Sequence, residues 1–172
     1  MSRIVLVPGV LALLPEYAGL ADPVDELRAA AAAAVGWLVE SPGPVRVVAD
    51  EQGARVARHL LVEAGHDQAF GAGDERVLVV ANGSARRGEK APGHLDPRAV
   101  GFDAALEDAL RSSDGAVLQG LDVALAEELL VGHPSGIRDL GARLRAAGPA
   151  VVDYDDDPFG VQYWVMRWTC GS

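Results

Sequence analysis

VLVVANGSARRGEKAPGHLDPRAVGFDAALEDALRSSD, Val77 to Asp114, is the stretch from which the fold is read. Val77-Leu78-Val79-Val80 is too short for a helix and rich in β-branched residues, so it predicts a buried strand. Asn82-Gly83-Ser84 breaks the run with turn chemistry. A loop with Arg86, Arg87 and Lys90 follows. Asp96-Pro97 then predicts a helix start, because the carboxylate can accept from free N–H groups and proline tolerates the first turn. Ala99, Phe102, Leu106 and Leu110 fall on one face of that helix. A strand that feeds a helix through a polar loop is where open α/β sheets place ligands, outside the carboxyl ends of the strands.

The same grammar extends in both directions. Ile4 to Val7 reads as a first strand ended by Pro8-Gly9. Asp22-Pro23 repeats the cap logic, with Asp25 and Glu26 suited to the positive end of the helix dipole. That helix runs through six consecutive alanines to about Val39, and its smooth face is expected to pack closely on a sheet. Val45 to Ala49 predicts a second strand. Helix 51–64 follows, with Val56, Leu60 and Ala64 inward and Gly65 closing it. Beyond a turn at Asp114-Gly115, helices are expected near 121–131 and 135–147, the second capped by Ser135. Pro149 to Asp153 returns as a strand, and Val161 to Thr169 ends the chain as a strand whose mixed polarity predicts an edge position. Strands alternating with helices predict one α/β domain over 1–172, with a central, mostly parallel sheet and helices on both faces.

Composition narrows the function classes. The chain of 172 residues is 49% hydrophobic and 23% charged, which is globular rather than disordered. Fifteen basic against twenty-five acidic side chains give a net charge of −10, a surface that repels phosphate backbones, so no nucleic-acid partner is expected. The apolar opening is interrupted by Pro8, Gly9, Pro15 and Glu16, which predicts neither a membrane span nor a signal peptide, and a cytoplasmic location. Cys170 is the single cysteine, so no disulfide framework and no Cys-rich metal site are expected. Trp164 and Trp168 on the last strand either pack internally or form the seam of a homodimer.

The block GSARRGEKAPGHLDPRAVGFDAAL resembles the LigB-like family, the class III extradiol ring-cleavage dioxygenases and their relatives. The matching words are Gly83, Ser84, Arg86, Ala91-Pro92-Gly93 and Phe102-Asp103. The YDDDPFG segment, Tyr154 to Gly160, is similar to that of short actinobacterial members. The resemblance implies a LigB-like α/β fold. It also implies, for active members, Fe(II) held by two histidines and a carboxylate, with a further histidine as acid and base. This chain departs from that pattern. Ala85 stands where the acid–base histidine follows the motif serine, and Pro8-Gly9-Val10 where a histidine ligand follows the first strand. Gly132-His133-Pro134-Ser135 stands where the carboxylate ligand is due. The expectation is a degenerate member with no catalytic residue, no metal and no cofactor, binding a small anion or a partner. The alternative is an extradiol dioxygenase, or another metal-dependent enzyme, that uses other ligands, for which His94 and His133 would have to converge.

The ligand-binding candidates are Asn82, Ser84, Arg86, Arg87, Lys90 and His94. Guanidinium forks beside turn N–H groups suit a carboxylate or phosphate. The competing reading pairs these cations with Asp153, Asp155, Asp156 or Asp157 as structural counter-charges that pin the loop to the C-terminal segment.

Overall fold

The computed structural model describes residues 1–68 and 70–171. Five strands, β1 (Ser2–Val7), β2 (Arg46–Val48), β3 (Arg76–Val80), β4 (Val151–Asp156) and β5 (Tyr163–Cys170), form one sheet in the order β2-β3-β1-β5-β4. The helices are α1 (Asp25–Val39), α2 (Glu51–Glu63), α3 (Ala99–Ser112), α4 (Gly115–Gln119), α5 (Val123–Glu128) and α6 (Pro134–Arg143). The apolar runs of β1 and β3 are buried on both faces because the sheet has helices on both sides. Val5, Val7, Leu78 and Val80 pack with α1 and α2, and Ala31 and Ala34 of the alanine run lie in that layer. Ile4, Leu6, Val77 and Val79 pack on the other side with residues of α3 to α6. Among the described residues no helix is long and apolar enough to cross a membrane.

The sheet is mixed rather than mostly parallel. β2, β3 and β1 pair in parallel, whereas β5 runs antiparallel to both β1 and β4. β5 is also interior, not an edge; β4 is the edge. The polar residues that made β5 look peripheral have partners. Arg167 donates to both carboxylate oxygens of Asp153 on β4, at 2.6 and 3.0 Å, and lies over the Trp37 ring. Trp164 and Trp168, 0% and 1% exposed, pack internally and are unavailable to a dimer seam. Cys170 is buried in β5.

Both Asp-Pro pairs act a turn earlier than expected. Asp22 accepts from the Val24 N–H at 3.1 Å and Asp96 from the Arg98 N–H at 2.9 Å, closing Asx turns from which α1 and α3 start at Asp25 and Ala99. Ser135 is not the cap of α6. That helix starts with Pro134 in its first turn after His133, whose φ is +60°. The turn expected at Asp114-Gly115 is the start of α4, capped by the Asp114 side chain on the Val117 N–H at 3.1 Å. Gly65, with φ +81°, closes α2 as expected.

Candidate functional site

β1 leads into α1 on one face of the sheet, and β3 leads into α3 on the other. The carboxyl ends of these adjacent strands are therefore a topological switch point, the usual location of a ligand crevice. Pro8-Gly9, Asn82 to Lys90 and Gly132-His133 surround it.

The motif words map onto a clasp centred on Asp103. This carboxylate, 1% exposed, accepts from the Ser84 N–H at 2.8 Å and the Ser84 hydroxyl at 2.6 Å. Arg87 donates to it at 3.1 Å and, through Nε, to Asp157 at 2.7 Å. Burial works against the Arg87 charge, but its hydrogen bonds to Asp157 and Asp103 outweigh that and hold its pKa above the usual arginine value. Gln162 ties the same turn to β5: its carbonyl accepts from the Gly83 N–H at 2.8 Å and its N–H donates to the Ser84 carbonyl at 3.0 Å. Gly83 is required at this spot, since a Cβ would lie 2.7 Å from the Gln162 Cβ and 2.8 Å from the Asp103 carboxylate. The word Phe102-Asp103 was thus a signal for the hub, although a helical stripe read only for apolar residues passes over Asp103.

The other candidates separate into engaged and open side chains. Arg86 donates to the Glu128 carbonyl at 3.0 Å and the His94 carbonyl at 3.4 Å, bracing the loop against the end of α5. Asn82 exchanges backbone hydrogen bonds with Gly132, each 3.1 Å, and its side-chain oxygen accepts from the Gly9 N–H at 3.4 Å. His94 is exposed with φ +57°, and its ring makes no hydrogen bond among the described residues. Lys90 is exposed and, among the described residues, has no carboxylate within 4.0 Å. It lines a groove of about 430 Å³ with Gly88, Pro92, Pro158 and Phe159.

The four aspartates of the C-terminal segment divide their work. Only Asp157 reaches the cationic loop. Asp153 pairs with Arg167, and Asp155 with Arg111 at 3.0 Å and Gln162 at 2.8 Å. Asp156 accepts from the Asp157 N–H at 2.8 Å.

The resemblance would place histidines at two positions that hold other residues here. Pro8 is buried, and Ala85 packs against the layer formed by β1, α1 and α2. His133 precedes α6 with φ +60°. Its left-handed backbone is uncommon for a residue with a side chain. Its Nδ1 lies 3.0 Å from the Val80 carbonyl, which can only accept, so Nδ1 is the donor of that bond and, in a neutral ring, Nε2 is the acceptor. Among the described residues no three His, Cys, Asp or Glu side chains gather to hold a metal ion.

Asp96 is the carboxylate of the site most strongly held in its charged form. Hydrogen bonds from the Arg98 guanidinium and the Arg98 N–H, with the nearby Arg86 charge, hold its carboxyl down at about 2. An acid depressed on folding stabilises the protein above its unfolded value of about 4, and that contribution is lost as pH falls through the folded value. Asp96→Asn is therefore expected to be less stable than the parent at pH 6. Urea midpoints of the two should converge as pH falls from about 4 towards 2; a gap that stays constant would show that Asp96 is not the group responsible.

Compared with known proteins, the chain matches no family model and no curated protein.

Proposed function

We propose that this chain is a LigB-like protein without the iron chemistry of the extradiol dioxygenases, and that it binds a small anionic ligand in the groove between the 88–92 and 158–160 loops. The observation that carries this reading is the contrast among the three cations of the motif loop. Arg86 and Arg87 are held by carbonyls and carboxylates, whereas Lys90 faces an open groove with no acid of its own among the described residues. Pro92, Pro158 and Phe159 give that groove apolar walls. A ligand that fits has an anionic head for the ammonium and a compact apolar body, as an aromatic or branched carboxylate does. The absence of iron chemistry rests on the residues themselves: methyl, prolyl and glycyl groups at Ala85, Pro8 and Gly9 do not bond to Fe(II) or move protons.

A thermal-shift titration with benzoate tests this reading. The parent should show a saturable rise in melting temperature. Lys90→Met, which keeps most of the aliphatic stem, should weaken binding by roughly tenfold or more, the size of one charge-assisted hydrogen bond. Arg86→Ala should lower the melting temperature without benzoate and leave the affinity near the parent value. Equal affinities in Lys90→Met and the parent would remove the proposal.

One observation favours a second reading, an enzyme with ligands other than those of the family. His133 is oriented through Nδ1 by a backbone carbonyl, the arrangement that presents Nε2 to a metal or a proton. Stoichiometric Fe, Mn or Zn in protein purified without chelator, and lost in His133→Asn, would favour this reading over the binding protein. Asparagine is chosen because it tolerates the left-handed backbone.

A further inference from the structure

At the amino ends of the strands, far along the sheet from the motif loop, Arg3 of β1 and Arg76 of β3 are register partners on parallel strands. Register partners project from the same face, so two guanidinium groups start side by side, an unfavourable like-charge pairing. Arg3 has compensation. Its Nη1 donates to Glu40 at 2.9 Å, and its guanidinium lies 4.6 Å from the centre of the Trp37 ring. Arg76 has none. It is 5% exposed, its Nη1 donates to the Ser41 carbonyl, and its Nε–H is buried with no acceptor among the described residues. Among the described residues no carboxylate lies within ion-pairing distance of it. A guanidinium cannot shed its proton, and a buried charge without a counter-charge is costly. Gly43, with φ +128°, closes the 41–44 turn over the group; a Cβ there would fall on the Arg76 guanidinium. A cavity of about 80 Å³ remains beside it, lined by Met1, Arg3, Ser41, Pro42, Glu75 and Arg76.

We propose that this cavity takes a small inorganic anion, in the size range from chloride to phosphate, as the counter-ion of Arg76 with Arg3 at its side. The site stands apart from the Lys90 groove and does not depend on it. Glu75 is exposed on the rim, where its charge opposes the anion.

The test is a melting-temperature titration at fixed ionic strength, starting from a buffer whose only anion is a bulky organic sulfonate. Sodium chloride and sodium phosphate are added in separate arms. At least one arm should give a saturable rise, because an anion that binds only the folded chain stabilises it by mass action. The arm that saturates at lower concentration identifies the anion. Glu75→Gln, an exposed change, should move that saturation to a several-fold lower concentration. Arg76→Met should abolish the saturable part, and Glu75→Gln carries the test alone if Arg76→Met does not fold. No saturable rise in either arm, an unchanged saturation point in Glu75→Gln, or a parent-like rise in Arg76→Met would each overturn the proposal.

Discussion

Replacing Asp103 with alanine is expected to lower the unfolding free energy by about 3–5 kcal/mol, the loss typical of breaking a buried ion pair from one side. The substitution leaves the mostly buried Arg87 with Asp157 alone, and strips the Ser84 N–H and hydroxyl of their acceptor. Neighbouring changes should be much smaller. Ser84→Ala removes one hydroxyl bond and should cost about 1 kcal/mol. The Asp157 side chain is 40% exposed, so Asp157→Ala should cost at most about 1 kcal/mol. Adding Arg87→Met to Asp103→Ala should recover part of the loss, since the stranded charge is then gone. Urea unfolding with an unchanged slope gives all four values. If Asp103→Ala and Asp157→Ala cost the same, Asp103 is not the hub.

Trp168→Ala is the second large change, expected to cost about 3–5 kcal/mol through lost burial and the cavity left behind. Trp168 stands on β5 opposite Ile4 of β1, and its indole N–H donates to the Leu110 carbonyl of α3 at 3.3 Å. That bond separates it from Trp164, equally buried, whose indole N–H has no acceptor among the described residues. The contrast gives a sharper measurement than alanine alone. Trp164→Phe removes a donor that is unsatisfied among the described residues, whereas Trp168→Phe removes a made bond to the Leu110 carbonyl, which keeps the Ser113 N–H, so the second should be the more destabilising of the two. The reverse order in thermal or urea unfolding would show that the Leu110 bond contributes nothing.

Strand and helix alternation was legible because it depends on local chemistry: β-branched runs such as Val77–Val80, and Asp or Gly at the ends of helices. The direction of β5 was not legible, since an apolar run reads the same along parallel or antiparallel neighbours. Its interior position was hidden because Arg167 is satisfied by Asp153 and Trp37, partners brought together only by the sheet. The Asp-Pro pairs marked helix starts correctly to within a turn; the Asx turn and the N-cap use the same carboxylate and differ only in which N–H it accepts. The motif loop was placed correctly, at the carboxyl end of β3. Which of its cations are engaged depends on contacts such as Arg87 with Asp157, 70 residues apart, and no spacing rule reaches that far. The orientation of His133 was hidden for a similar reason, because its left-handed backbone and its bond to Val80 leave no mark in Gly-His-Pro-Ser.

Neither margin of the sheet invites another chain to join it. On one side β2 spans only Arg46–Val48, too short a template for a stable strand partner. On the other, β4 carries Asp153, Asp155 and Asp156; the first two are paired with Arg167 and Arg111, so a second copy laid alongside would meet the Asp156 carboxylate and the two ion pairs. Growth by strand addition, the first step towards fibrils, is opposed at both ends.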